Sequence, residues 1–344
     1  MLKRALCVLC SLLLAGGMAG CASTPEVRTV TYMDAFDTVT TVSVYGVDES
    51  AFASQQEQLH DWLMEYHRLY DIYHTYEGVN NLKTVNDTAG GQPVVTDARI
   101  IDLLTYGKHA YERTGGRVNI MAGSVLALWH ECRTQALEGG AATLPDTAAL
   151  QRAAGHTAMT SLSLDAKAGT VCITDPDARL DVGAIAKGYV AEQAARYVQE
   201  TFGWKHVLLN VGGNIRTVGG KTADIPFTVG IQNPDLTAAQ AYVATVKVTD
   251  RAVVTSGDYQ RYYTVGDRRY AHIIDMDTLY PATYMQAVTV VCGDSAQADE
   301  LSTALFVMPA EQAIAYINAV PDAEAVCILA DGSLRYSAGF EEYL

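Results

Sequence analysis

A carboxylate and an amine stand six residues apart where one pattern of apolar residues changes into another. Asp181 ends a strand-like run, the chain turns at Gly183, and Lys187 lies in the helical pattern that continues to Gly203. Free N–H groups at a helix start favour anionic oxygen, and glycine lets the backbone approach a ligand closely. Because carboxylate and phosphate repel each other unless a cation lies between them, the stretch favours phosphate held with a metal. The spacing does not match the P-loop, and the alternative is a plain strand-to-helix connection.

A second candidate site combines a carboxylate with a hydroxyl group. Asp299 and Thr303 are four residues apart in a predicted helix, so their side chains share one face. Together they offer two oxygen ligands to one hard cation. The alternative is that Asp299 stabilises the helix dipole in the first turn while Thr303 only packs.

A third candidate is a histidine at the end of an alternating strand. His272 precedes Asp275 and is a candidate general base near neutral pH. The alternative is a strand histidine whose ring is satisfied by a backbone carbonyl. Arg261 and Lys187 either neutralise a phosphate or pair with some of the 39 acidic residues.

The charge and cysteine content of the chain indicate which kinds of partner and metal to expect. The formal net charge is −15 and no basic cluster occurs, so nucleic acid is not an expected partner. An acidic protein that binds phosphate needs a compensating cation, which again favours a metal. The cysteines that follow Cys21 in the chain include no Cys-x2-Cys pair, so a zinc site is not expected. We expect these cysteines to be buried free thiols, and the alternative in an exported protein is a disulfide.

The first 21 residues have the pattern of a targeting segment. Lys3 and Arg4 precede the apolar run 5–14, which is too short to span a bilayer, and residues 18–21 resemble a bacterial lipobox ending in Cys21. We therefore expect an exported protein, anchored to the cell membrane through lipid on Cys21 and facing outside or the periplasm, with residues 22–28 as a tether. The alternative is an ordinary secretory signal that is cut elsewhere.

The remaining chain alternates helical and strand-like patterns without repeats or a clear linker. Most predicted strands follow one another closely, which is typical of antiparallel pairing, so the fold class is α+β, with mixed, mostly antiparallel sheets and flanking helices. The predicted helices are 50–74, 97–113, 145–154, 183–203, 295–308 and 310–319, and the apolar run 124–129 is a short helix or strand. The predicted strands are 30–46, 162–164, 170–173, 207–211, 226–231, 242–249, 252–255, 259–264, 269–274, 287–292, 326–329 and 334–336.

Taken in chain order, the motifs closely resemble those of the ApbE family of FAD:protein FMN transferases. The resemblance runs from about Thr29 to Leu344 and implies a single two-lobed domain, 29–344, with the active site in a cleft between two halves. The matching stretches are Phe36 to Thr38, Tyr76 with Asn86, Asn119, Trp129, Asp181 to Tyr189, Asn210 to Asn214, Thr255 to Gly257, His272 to Asp275 and Ala298 to Leu305.

The resemblance implies Mg²⁺-dependent chemistry on FAD. The FAD pyrophosphate is cleaved, AMP is released, and FMN is joined by a phosphoester to a Thr or Ser of an acceptor flavoprotein of exported redox machinery. The implied metal ligands are Asp299, Thr303 and the main-chain oxygen of Ala184, and the implied base is His272. The positions implied to contact FAD are Phe36, Tyr76, Trp129, His130, Glu131, Asp181, Lys187, Gly257, His272 and Ile273.

Two departures from the family pattern affect loops rather than the metal site. Met276 and Leu279 replace the usual Pro and Gly after Asp275, and we expect another turn shape because leucine resists a positive φ. His130 and Glu131 stand where many relatives have Gly-Phe, which concerns the adenine side of the site.

Two other functions use the same residues. An FAD pyrophosphatase would replace the acceptor hydroxyl with water, and a non-catalytic lipoprotein would only carry FAD. Bulky Tyr76 beside the phosphate favours transfer over hydrolysis, and the presence of His272 beside both metal ligands favours catalysis over carriage. The chain has no acceptor-type motif, so it is not expected to modify itself.

Overall fold

The computed structural model describes residues 25–344. Residues 1–24, with the predicted leader, Cys21 and the first part of the predicted tether, lie outside the described residues. None of the helices in the described part is both long enough and apolar enough to cross a bilayer.

The centre of the fold is a fully antiparallel sheet of eight strands in the order β1-β2-β6-β7-β10-β15-β16-β17. The remaining strands form small separate sheets. The strands are β1 Val27–Tyr32, β2 Thr40–Tyr45, β3 Val94–Val95, β4 Leu162–Asp165, β5 Thr170–Ile173, β6 Val207–Val211, β7 Asn214–Val218, β8 Phe227–Gln232, β9 Tyr242–Val248, β10 Ala252–Gly257, β11 Tyr262–Val265, β12 Arg268–Ala271, β13 Ile274–Asp275, β14 Tyr280–Pro281, β15 Ala287–Cys292, β16 Ala323–Ile328 and β17 Leu334–Tyr336.

Helices cover one face of this sheet. Two of them, α6 and α7, pack directly on its strands, and α7 is buried on almost every side, as its apolar and small residues dictate. The helices are α1 Glu49–Tyr70, α2 Leu82–Asp87, α3 Ala98–Arg113, α4 Gly123–Leu137, α5 Thr147–Ala154, α6 Ala186–Phe202, α7 Ser295–Phe306 and α8 Ala310–Ile317.

Two smaller apolar clusters complete the structure. The hairpin β8–β9 and the C-terminal turn cover the other face of the sheet around Phe227 and Phe340. A separate cluster joins α4 and α5 to the hairpin β11–β12 through Trp129, Tyr263 and Tyr270, and we call it the aromatic cluster. The sheet with its helices and the aromatic cluster each contribute residues to the site described below.

The predicted fold class is confirmed, while two predicted strands are wrong. The stretch 30–46 forms two strands, because Phe36 and Asp37 take positive φ values of 57° and 50° and turn the chain back. No strand precedes Asp181; that run has an isolated bridge between Ala122 and Arg179 instead.

Three helix boundaries differ from prediction by three residues or more. Helix α1 ends at Tyr70, four residues early, because the Asp71 carboxylate accepts hydrogen bonds from the backbone N–H groups of Tyr73 and His74. Helix α6 begins at Ala186 rather than at the Gly183 turn. Helix α4 extends to Leu137, well beyond the short apolar run that indicated it.

The cysteines in the described part of the chain are free thiols, so no disulfide joins them. Cys292 and Cys327 are buried as predicted. Cys132 and Cys172 are only partly buried.

Candidate active site

The contact between α6 and α7 brings the two main sequence motifs together. The Gly188 N–H donates a hydrogen bond of 2.8 Å to Asp299 Oδ2. A Cβ atom at position 188 would lie 2.3 Å from the Ser295 carbonyl oxygen and 2.4 Å from Asp299 Cβ, so only glycine lets the helices approach this closely. The contact fixes the orientation of the Asp299 carboxylate.

The other oxygen of Asp299 faces a cation. Asp299 is 3 % exposed, and its Oδ1 lies 3.7 Å from Lys187 Nζ. Thr303 is partly exposed one turn further along the same helix, and Ala184 lies in the partly exposed turn before α6. Carboxylate, hydroxyl and carbonyl oxygens are the hard ligands that Mg²⁺ prefers, so the donor types at these positions fit that ion.

The neighbouring carboxylate of Glu300 has a different role. It is buried and accepts hydrogen bonds from the Tyr106 hydroxyl at 2.5 Å and from two nitrogens of Arg113 at 3.0 and 2.6 Å. These bonds tie α7 to α3. Glu300 therefore anchors the helix that carries Asp299.

A buried ion pair fixes the start of α7. Glu192 Oε2 accepts hydrogen bonds from Arg216 Nε at 2.8 Å and from the Ser295 N–H at 2.9 Å. Asp294 caps the same end by accepting bonds from the next backbone N–H groups. With its N-terminus held in this way, α7 presents Asp299 in one position.

Backbone and side-chain hydrogen bonds hold Asp181 in place. The Asp181 N–H donates to the Ile120 carbonyl at 2.9 Å, and the carboxylate accepts from the Gly183 N–H at 2.8 Å. The Asn86 side chain bonds both the N–H and the carbonyl of Leu180, at 2.7 and 3.0 Å. Burial raises the pKa of Asp181 above its usual value.

His272 is held in one tautomer. Its Nδ1 lies 3.2 Å from the Arg261 carbonyl oxygen, which can only accept, so Nδ1 carries the hydrogen and Nε2 carries the lone pair. Burial lowers the pKa of His272 to about 3, assisted by the positive charges of Arg261, Arg133 and Lys187. The imidazole is therefore neutral at pH 7 and able to accept a proton at Nε2.

Arg133 is a site residue that sequence reasoning missed. Its Nη2 lies 2.8 Å from His130 Nδ1, and the His130 ring stacks on Tyr73 with centroids 5.1 Å apart. Helical spacing could have indicated Arg133, because it lies three residues after His130 and such residues share a helix face. The element predicted from the sequence ended at Trp129, so this spacing was not considered. Tyr73 was assigned to the preceding helix and was missed for a similar reason.

A hydrogen-bond network links the Phe36 turn to the loop that carries Tyr76. The Phe36 N–H donates to His67 Nδ1 at 3.1 Å, so His67 Nε2 carries the hydrogen and faces the Tyr76 hydroxyl at 3.4 Å. That hydroxyl donates to Asp71 at 2.8 Å. Phe36 and Tyr76 are thus positioned by residues that no sequence motif indicated, His67 and Asp71.

Comparison with known proteins decides the family. A model of the ApbE family matches residues 36–327. The chain belongs to the ApbE family. A FAD:protein FMN transferase from Treponema pallidum is 33 % identical over 272 residues, which cover 75 % of this chain and 73 % of the relative. One from Klebsiella pneumoniae is 28 % identical over 288 residues, or 83 % and 84 % of the two chains.

Solved structures of ApbE proteins have the same fold. The ApbE protein from Thermotoga maritima superposes with a TM-score of 0.79 at 25 % identity and covers 92 % of this chain and 99 % of its own. The flavin transferase ApbE from Vibrio cholerae gives 0.73 at 22 % identity and covers 93 % and 100 %. The expected ApbE-like α+β architecture is therefore confirmed.

The expectation for the turn after Asp275, where the ApbE pattern has glycine, is wrong. Leu279 takes a φ of 63°, so it keeps the left-handed conformation instead of avoiding it. The Leu279 N–H bonds the Asp275 carbonyl at 2.7 Å, and the Leu279 carbonyl accepts from the Trp129 indole at 2.9 Å. Packing against the aromatic cluster compensates the strained backbone.

The remaining ApbE positions that we predicted to contact FAD lie around these residues. Trp129 is 4 % exposed within the aromatic cluster, while Glu131 is exposed on α4. Gly257 ends β10, and a Cβ there would lie 2.5 Å from the Tyr259 ring. Ile273 is buried next to His272. The FAD and metal contacts of these side chains stay predictions.

Proposed function

We propose that this protein transfers FMN from FAD to a Thr or Ser hydroxyl of an acceptor flavoprotein, releasing AMP in a Mg²⁺-dependent reaction. The observation that carries the proposal is His272, a neutral imidazole with a free Nε2 in the positive field of Lys187, Arg133 and Arg261. The free Nε2 is able to take the proton of a hydroxyl, while the cations around it are suited to hold the phosphate that the hydroxyl attacks. The relatives named above as FAD:protein FMN transferases support it.

The metal would be held by Asp299, Thr303 and the Ala184 carbonyl oxygen. When bound there, Mg²⁺ neutralises charge on the FAD phosphates. The Gly188 hydrogen bond keeps one carboxylate oxygen of Asp299 in place, which leaves Oδ1 on the side of Lys187.

In the proposed step His272 Nε2 takes the proton from the acceptor hydroxyl. The hydroxyl oxygen forms a bond to the FMN phosphorus, and the bond from that phosphorus to the bridging oxygen breaks, so AMP leaves with the bridging oxygen. The Arg261 carbonyl holds Nδ1–H and stabilises the imidazolium that forms. Lys187 balances the charge of the leaving phosphate.

The direct test combines the protein with FAD and a small acceptor domain, with and without Mg²⁺. We expect AMP release together with acceptor-bound flavin fluorescence that requires Mg²⁺. If AMP and free FMN form in the same yield whether or not the acceptor is present, the protein is a pyrophosphatase. If FAD binds but stays intact, the protein is a carrier. Either outcome would overturn the proposed transfer.

The pH profile of catalytic efficiency provides a second prediction. Because burial and the neighbouring cations lower the His272 pKa from 6.5 to about 3, the free enzyme keeps its base unprotonated on the acid side of neutrality. We expect kcat/KM to show no loss near pH 6.5 attributable to His272. The prediction would be contradicted if kcat/KM fell with a single protonation near pH 6.5 and if a variant with another base at position 272 no longer showed that fall.

We further propose that the protein is exported and anchored by lipid on Cys21. The support is the sequence pattern of residues 1–21. In a bacterial host fed a labelled fatty acid, the full chain should carry the label and sediment with membranes, and the Cys21→Ser variant should do neither. Cys132→Ser serves as the control and should behave like the parent chain; label retained in Cys21→Ser would refute the anchor.

A further inference from the structure

Arg133 and Arg261 lie close enough for their positive charges to act on each other and on the same histidine, His272. In the part of the chain that the structure describes, no carboxylate oxygen lies within 4.0 Å of Arg133 or Arg261. Arg133 bonds His130 Nδ1 at 2.8 Å, and Arg261 reaches the Asp37 carbonyl at 3.4 Å. Most of their N–H donors are left for another acceptor.

The two cations repel each other where they stand. Arg133 is only partly exposed, and burial lowers its pKa, with the charge of Arg261 as the next cause. Both arginines also lower the pKa values of His130 and His272. Asp181 partly offsets the effect of burial and of Arg261 on the pKa of Arg133, and Asp37 acts with Asp181 in the same sense on His130. A chain with a net charge of −15 thus concentrates positive charge at this site, which an anion would relieve.

An aromatic pair lies beside these guanidinium groups. The Tyr73 and His130 rings are stacked at an interplanar angle of 27°, and Tyr73 is 47 % exposed. The same His130 accepts the hydrogen bond from Arg133, so ring and guanidinium are held together. Stacked rings next to a guanidinium fork are suited to a nucleotide, whose base packs on the rings while its phosphate takes the fork.

We infer that Arg133, together with Arg261, binds a phosphate of a nucleotide whose ring packs against the Tyr73–His130 pair. For this protein the nucleotide is one half of FAD, and only that identification rests on the proposed function. Arg133 is then a substrate-binding residue that acts through a bidentate contact. Lysine, which offers a point charge instead of a fork, replaces it poorly.

The test measures binding by calorimetry to the protein, with AMP, FMN, adenosine and riboflavin as separate probes. We expect Arg133→Gln to weaken the affinity for AMP or for FMN, whichever of the two the site binds, by about tenfold or more. The affinities for adenosine and riboflavin, which have no phosphate, should stay within about twofold of those of the parent chain. Arg133→Lys should recover only part of the loss. Arg152→Gln, a change of an exposed arginine on α5, is the matched control and should bind all four probes like the parent chain.

Three results would overturn the inference. They are unchanged AMP and FMN affinity in Arg133→Gln, equal losses for phosphate-free and phosphate-bearing probes, and full recovery by lysine. A thermal melt of each variant identifies unfolding, and Arg261→Gln then tests the same phosphate from the other guanidinium. None of these binding measurements needs an acceptor protein or catalytic turnover. The inference about Arg133 can therefore hold if the FMN transfer assay fails, and FMN transfer can be observed if the inference about Arg133 fails.

Discussion

Replacing Gly188 by alanine is expected to destabilise the protein and to abolish its Mg²⁺-dependent activity. Helix propensity alone predicts the opposite, because alanine is favoured over glycine inside a helix by about 1 kcal/mol. Here the new Cβ would lie 2.3 Å from a carbonyl oxygen of α7 and 2.4 Å from Asp299 Cβ. Neither neighbour is the flexible end of a side chain, so α6 and α7 must separate.

We expect Gly188→Ala to lower the free energy of unfolding by roughly 1–3 kcal/mol, as overpacking of a tight core does. The shift also breaks the 2.8 Å bond that orients Asp299, so the variant should lose metal-dependent FAD binding. Urea denaturation and calorimetry with FAD and Mg²⁺ measure the two effects. Gly155→Ala is the control, since Gly155 has an ordinary φ of −64° outside the site. A Gly188→Ala variant as stable as the parent would show that the helices adapt.

Replacing His272 by glutamine is expected to slow FMN transfer strongly while leaving FAD binding nearly unchanged. General-base catalysis contributes about 10²–10⁴-fold, so FMN transfer should slow by that factor. Glutamine can still donate from its amide to the Arg261 carbonyl that now holds His272 Nδ1, but it offers no basic nitrogen. The affinity for FAD should change little, because the cations that surround the imidazole remain.

A histidine elsewhere provides the matched control. His206 also directs Nδ1 to a backbone carbonyl, that of Gly220, at 2.9 Å, and it lies immediately before β6, at the opposite end of that strand from the turn at 212–213. His206→Gln should transfer FMN at the parent rate. Single-turnover assays with flavin fluorescence separate binding from transfer. Full activity in His272→Gln would exclude the base, and a parallel loss of FAD affinity would make His272 a binding residue instead.

Local pattern predicted most elements of the fold because periodicity is a local property. The helix 97–113 and the hairpin at 162–173 were predicted almost to the residue. The split of 30–46 was not foreseen, since β-branched residues lie on both sides of it and the turn depends on Phe36 and Asp37 taking a left-handed conformation. A hydrogen bond from the Phe36 N–H to His67 supports that turn from another part of the chain.

The candidate site was predictable only as separate pieces. Asp181, Lys187, His272 and Asp299 stood out by type and spacing, but only the family resemblance, and no local pattern, placed them in one site. Their meeting depends on a glycine and a carboxylate that are 111 residues apart, and on the Glu192 pair that fixes α7. Leu279 shows the same limit, since a rule about backbone sterics was overridden by the packing around Trp129.

The separation between Gly188 and Asp299 also sets the order in which the site can appear during synthesis. When synthesis has reached only the end of α6, Asp181 and Lys187 are present but the carboxylate of Asp299 is not. The contact can close only after α7 has been synthesised, which follows synthesis of the strands β6 to β15 that lie between the two helices in the chain. A chain that stops before α7 therefore cannot assemble the site, and incomplete copies would not compete with the finished protein for flavin.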